Sequence, residues 1–246
     1  MNAVFIYAAL FFPVLISGLV VFAFHFTEKK LKLILSFSAA YILALVFLHL
    51  LPELYASINA TTAGVYILFG FFVQLLLEFF STGIEHGHVH VHSHEKKIPL
   101  SVLFGLFFHS MLEGMPVAST HSISAEGTTH YLNSLVLGIV LHNIPISIAF
   151  TGMLLHLGFS KSKAFVFLIL FALMAPLGSF VSHLLQRFGY NGFDEFMNIA
   201  LGIVIGIFLH ISTTIMFESS EKNHRYHVSK IIAIVSGAAI AWLLIR

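Results

Sequence analysis

Long apolar runs alternate with short polar breaks along the whole chain. A run of about 18 or more apolar residues is enough for a helix to cross a bilayer. The pattern predicts eight such helices, at about 3–25, 33–52, 63–80, 99–118, 133–157, 163–186, 193–217 and 228–245. Turn-forming residues mark some of the breaks, as in Asn59-Ala60-Thr61-Thr62 and Gly189-Tyr190-Asn191-Gly192. Only the connection at 81–98 is long. The expected fold class is an all-α polytopic membrane protein, a single transmembrane domain over 1–246 with one sizeable loop inside it.

Composition narrows this further. The chain is 58% hydrophobic and 9% charged, where a soluble domain carries about 25% charged residues. Eight spans use most of the length and leave little for a soluble domain. A net charge of +1 lacks the basic footprint of a nucleic-acid binder, so the expected surroundings are lipid. The first apolar run opens at Ala3 without a basic stretch before it, so it is expected to act as its own insertion signal rather than as a cleaved leader. Cysteine is absent, which removes disulfides and thiolate metal sites. Histidine is abundant, with 16 residues against 12 lysines and arginines together.

Basic residues predict the orientation. Lys29, Lys30, Lys32, Lys96, Lys97, Lys161, Lys163, Lys222, Arg225 and Lys230 fall at alternate breaks, and only Arg187 and Arg246 fall on the other side. By the positive-inside rule both termini face out, extracellular or periplasmic. The first and sixth spans then enter from opposite sides, so spans 1–3 and 6–8 can form an inverted pair around spans 4 and 5, an arrangement common in transporters.

Polar residues inside the spans carry the chemistry. His109 and Glu113 lie four residues apart in the fourth span, about one helical turn, and so share a face. A charged side chain at the bilayer centre costs on the order of 2.5–3.5 kcal/mol, which makes it a functional candidate. His142 lies in the fifth span, which runs the other way. His109 and His142 are each roughly 15 Å deep in a ~30 Å core, so the three side chains can meet. Pro145 in the fifth span deletes one helical hydrogen bond and frees a carbonyl near Leu141. Two imidazoles and a carboxylate without thiolate suit zinc or ferrous iron, with one coordination position open. The plainer alternative is that these groups pair with one another and glue helices together.

The stretch His109-Ser110-x-x-Glu113-Gly114, followed by His142-Asn143-x-Pro145, resembles the ZIP (Zrt/Irt-like) family of divalent metal transporters. That family is marked by His-Asn-x-x-(Asp/Glu)-Gly in helix 4 and His-Glu-x-Pro-His-Glu in helix 5. His49-Leu50-Leu51-Pro52-Glu53 and Pro176-Leu177-Gly178 are similar to it as well. The resemblance implies a 3+2+3 helix arrangement, metal movement toward the cytoplasm, a central binuclear site, and a possible homodimer. It implies His109, Glu113 and His142 as ligands of one metal, with Ser110 and Asn143 grouped at the same site. The departures are Ser110 for Asn, Asn143 for Glu, Ile146 for His, Ser147 for Glu, and Ala175 for an acid. Each removes charge or a ligand from the second metal position, and two dications on one carboxylate are under-neutralised. The expectation is therefore a single metal site.

Further candidates lie away from the centre. His86, His88, His90, His92 and His94 alternate in the 81–98 loop, a tract suited to loose metal binding on the cytoplasmic side or simply a solvated linker. His49 and Glu53 mark a possible way in. Glu78 and His210, with Gln74 nearby, mark a possible way out or ordinary helix packing. Gly202 and Gly206 predict close helix contact. The expected cargo is Zn²⁺ or Fe²⁺, with Mn²⁺ or Cd²⁺ possible, and no other cofactor. The expected setting is the cell (plasma) membrane, a bacterial inner membrane. Ligand imidazoles bind metal as free base, so uptake is expected to weaken as pH falls through about 6.5. Three functions compete: a metal transporter, a metal sensor or transport-inactive relative, and an intramembrane zinc hydrolase. The last needs a general base beyond Glu113. No other catalytic motif is present, so an enzyme is not expected.

Overall fold

The computed structural model describes residues 3–24, 26–81, 100–118, 125–217 and 224–245. Among the described residues the chain is helical, without strands, and eight helices are long and apolar enough to cross a membrane. The helices are α1 (Ala3–Val20), α2 (Glu28–Leu45), α3 (Leu51–Ser57), α4 (Ala60–Ser81), α5 (Leu100–Gly114), α6 (Ala125–His156), α7 (Lys161–Ala172), α8 (Met174–Arg187), α9 (Phe193–Phe217) and α10 (His224–Ile245). Span 2 comprises α2 and α3, and span 6 comprises α7 and α8.

The second span is longer than the 33–52 expected, running from Glu28 to Ser57. Its start is moved back by Thr27, whose side chain accepts a hydrogen bond from the Lys30 amide. That cap draws Lys29, Lys30 and Lys32 into helix where their charge suggested loop. Pro52 does not end the span. Residues Val46–Leu50 form a π-helical turn immediately ahead of it, and the proline falls in the first turn of α3. There its missing N–H is tolerated. A π turn inserted in an α-helix is a local widening often found near functional positions, and His49 lies in it.

Packing follows a repeat. The closest neighbours are α2 with α10, α4 with α9, α1 with α6, and α5 with α8. In spans, these are 2 with 8, 3 with 7, 1 with 5, and 4 with 6. Exchanging spans 1–3 for 6–8 in order, and 4 for 5, maps this set of neighbours onto itself. Spans 1 and 6 cross in opposite senses, so the relation is an inverted one, as the 3+2+3 arrangement requires. Span 5 is the innermost, its apolar window 78% buried against 17% for span 8. Lipid-facing positions carry bulky apolar side chains, among them Phe12, Phe69, Phe72, Phe79 and Trp242, while Tyr41, Phe150, Phe171 and Phe208 fill the interior.

Glycines set the tightest contacts. A Cβ at Gly178 on α8 would overlap the Met111 carbonyl on α5, and one at Gly114 on α5 would overlap the Ala175 carbonyl on α8. The two helices therefore touch backbone to backbone beside Glu113. Gly202 and Gly206 do seat α9 against α4, at Tyr66 and Ile67. Close packing of this kind is a main source of cohesion between helices in lipid. Gly178→Val should force α5 and α8 apart, at a cost of about 1–3 kcal/mol, and lower the melting temperature of the detergent-solubilised protein. Gly64→Ala, where a Cβ meets nothing within 4 Å, should leave it unchanged.

Candidate metal centre

His109 is the tenth residue of α5, and His142 is the tenth of the Asn133–His156 span on α6. The equal depth is realised in three dimensions. The two imidazole centroids lie 5.9 Å apart, with the rings at 81° to one another. Glu113, one turn beyond His109, completes the group, and all three side chains are wholly buried.

The three side chains converge closely enough that they could hold a metal ion. Glu113 Oε1 lies 3.2 Å from His109 Nε2 and 3.9 Å from His142 Nε2. One ligand atom from each residue falls within 4.8 Å of the other two. Ligands at about 2.0–2.1 Å from a tetrahedral zinc are roughly 3.3 Å apart. The widest pair therefore closes by about 1.5 Å, within reach of side-chain rotation. Among the described residues this is the one cluster of three or more His, Cys, Asp or Glu with such spacing.

The remaining carboxylate oxygen is already engaged. Asn143 Nδ2 donates to Glu113 Oε2 at 2.8 Å and to the Ile139 carbonyl at 3.0 Å. With both amide hydrogens directed at acceptors, the amide orientation is fixed by its neighbours. Asn143 Oδ1 is left buried without a hydrogen-bond partner. Asn143 thus offers one possible ligand atom, Oδ1, while its nitrogen steadies Glu113. Ser110 is buried next to His109 on α5.

Positions where the ZIP pattern has further ligands are otherwise employed. Ile146 is buried core, as is Ala175. Ser147 Oγ lies 2.6 Å from Ser17 Oγ and donates to the Ile144 carbonyl at 2.8 Å, joining α1 to α6. His49 and Glu53 sit half-buried in the π turn and in α3, outside the three-residue cluster. Glu78 Oε2 on α4 is 3.5 Å from His210 Nε2 on α9, a pairing the sequence did not predict. Gln74, one turn before Glu78, places Oε1 2.9 Å from His109 Nδ1. The sequence placed Gln74 in the region of the inner face but gave no sign of this contact. The available signal was a lone amide in an apolar span, which must find a partner. The histidine tract His86–His94 lies outside the described residues.

A profile of the family described as ZIP zinc transporter matches residues 97–245, more than half of the chain. The chain belongs to the ZIP zinc transporter family. Zinc transporter ZIP9-A of Xenopus laevis is 23% identical to it, over 80% of this chain and 78% of that protein. Zinc transporter ZIP9 of Xenopus tropicalis is 22% identical with the same coverage, and ZIP9-B of Xenopus laevis is 23% identical. The family match spans all of α5 to α10 and therefore the whole three-residue cluster. As a member of a transporter family with eight apolar spans, this is a multi-pass membrane protein of metal transport.

Asn143→Ala should remove a buried donor from Glu113, a charge-assisted bond of about 1.5–3 kcal/mol. The expected readout is a lower melting temperature of the metal-free protein. Asn143→Asp, which sets a second carboxylate against Glu113, should lower it further at neutral pH.

Proposed function

We propose that the protein carries one divalent transition-metal ion at a time across the membrane, toward the cytoplasm, through His109, Glu113 and His142. The supporting observation is the convergence of these buried side chains from spans 4 and 5 to within 4.8 Å, in a chain whose family transports zinc. Zinc is the first candidate, because its ligand preferences fit two imidazoles and a carboxylate. Ferrous iron fits the same donors, and Mn²⁺ and Cd²⁺ are the next to compare.

Single occupancy rests on charge. Glu113 is the one carboxylate in the cluster, and its second oxygen is held by Asn143. One dication and one carboxylate leave a net charge of +1, whereas two dications would leave +3 in a low-dielectric interior. An incomplete ligand shell also lets the ion leave, as conduction requires. Ser110 and the Asn143 oxygen stand beside the ion as further oxygen donors.

The route follows from the basic residues, which favour termini outside and the 81–98 loop inside. Metal approaches past His49 and Glu53, binds at mid-depth, and leaves along Glu78 and His210 toward the histidines between 86 and 94. The Glu78–His210 pair at 3.5 Å supports the inner part of that route. The whole chain acts as one transport domain in the cell membrane. A hydrolase reading gains no support from the described residues, where Glu113 is the one carboxylate of the cluster.

Reconstitution into liposomes tests this reading. Zinc uptake should be seen with the wild type and lost with His109→Ala or Glu113→Ala, and uptake with iron, manganese and cadmium ranks the cargo. Tight binding without flux in the wild type would instead mark a sensor or a transport-inactive relative. Saturation should give a metal-to-protein ratio near one once the loop histidines are substituted. Protons compete with metal for imidazole, so uptake should fall as pH falls through the ordinary histidine range near 6.5. A flat profile between pH 5.5 and 7.5 would contradict histidine ligation.

A further inference from the structure

The two ring nitrogens of His109 have different neighbours. Nε2 faces Glu113 Oε1 at 3.2 Å, and Nδ1 faces Gln74 Oε1 at 2.9 Å. Gln74 is wholly buried and comes from α4, in a span that contributes nothing to the three-residue cluster. With its amide oxygen turned to the ring, Gln74 accepts, and the hydrogen of this bond then sits on Nδ1. A neutral imidazole with its hydrogen on Nδ1 keeps its lone pair on Nε2, the nitrogen turned toward Glu113.

We propose that Gln74 is a positioning residue of the metal site, which holds His109 in the Nδ1–H tautomer and fixes its ring so that Nε2 is presented to the ion. This rests on the reading of His109 as a ligand. Metal-binding histidines depend on such outer partners for tautomer and orientation, and losing one costs ~10–100-fold in metal affinity. The choice of an amide over an acid is itself informative. A carboxylate at position 74 would accept the same hydrogen but bring a second negative charge close to the cation. It would raise the basicity of His109 and the grip on the metal, and slow the ion's departure. The neutral Gln74 fixes the ring without deepening the trap, a compromise suited to an ion that must move on.

Helix glue is the competing role. A buried interhelical hydrogen bond contributes about 0.6–2 kcal/mol in lipid, and on that account Gln74 would affect folding alone. Full-length protein separates the two. The background carries His86→Ser, His88→Ser, His90→Ser, His92→Ser and His94→Ser, so that calorimetry with zinc reads the central site. Gln74→Leu should weaken zinc binding ~10–100-fold. In metal-free protein labelled with ¹⁵N-histidine, the signals lost in His109→Ala identify His109, and Gln74→Leu should move them from a pure Nδ1–H pattern to a tautomer mixture. Gln74→Glu should keep that pattern, bind zinc more tightly than wild type, and show slower uptake into liposomes.

Zinc affinity within twofold of wild type in Gln74→Leu, with unchanged His109 signals, overturns the proposal even where the melting temperature falls. So does an Nε2–H pattern for His109 in the wild type. If Gln74→Leu does not fold, Gln74→Glu decides alone, and unaltered zinc affinity with unaltered uptake overturns it. His109→Ala that binds zinc like wild type marks a different failure, that of His109 as a ligand.

Discussion

The structure is organised around one carboxylate in a place hostile to carboxylates. Glu113 is wholly buried in the middle of a bundle that lipid surrounds, and an ionised acid there survives only with compensation. Its two oxygens are compensated differently. Oε2 takes a hydrogen bond from Asn143, a permanent neutral partner. Oε1 faces His109 and His142, whose nitrogens bear either a lone pair or a proton according to conditions. Three electron-rich atoms around one point repel each other until something positive arrives, and both a proton and a metal ion qualify. The proposed metal binding draws on this same arrangement.

The surrounding helices are built to keep that point in place. Gly114, next to Glu113, lets the Ala175 carbonyl of α8 lie directly on α5, and Gly178 returns the favour at Met111. The turn that carries His109 and Glu113 is thus clamped by backbone on one side. Gln74 ties its other side to α4. Ser147 and Ser17 join α6 to α1. Small residues and short hydrogen bonds do here what large apolar side chains do in a water-soluble core, because lipid gives helices no hydrophobic reason to associate.

Much of this was legible in the chain. The eight spans follow from hydropathy alone, and near-equal positions within their spans put His109 and His142 at a similar depth. Helical geometry put Glu113 on the same face as His109, since i and i+4 leave no freedom. What escaped was set by tertiary contact. The second span read as ending near 52, but it continues through the π turn at Val46–Leu50 and past Pro52 to Ser57, and nothing in a hydropathy profile announces a π turn. Asn143 read as a weakened ligand, whereas its nitrogen bonds the acid itself. Gln74 and Glu78 share one face of α4 by spacing, yet their partners His109 and His210 come from α5 and α9. Pairings between distant helices need a packing arrangement, and that arrangement is carried by glycines whose partners the sequence does not name.

The repeat in the packing has its own corollary. Spans 3 and 7, which bear Gln74, Glu78 and His210, correspond to spans 8 and 2 under the exchange that maps the bundle onto itself. Span 8 holds no histidine or acid through Ile231–Leu244, whereas span 2 carries His49 and Glu53 toward its end. The two halves share a packing pattern and differ in the polar side chains laid over it. A symmetric scaffold by itself treats both faces of the bilayer alike, so any difference between them rests on side chains, and span 3, with Gln74 and Glu78, differs from span 8 in that respect.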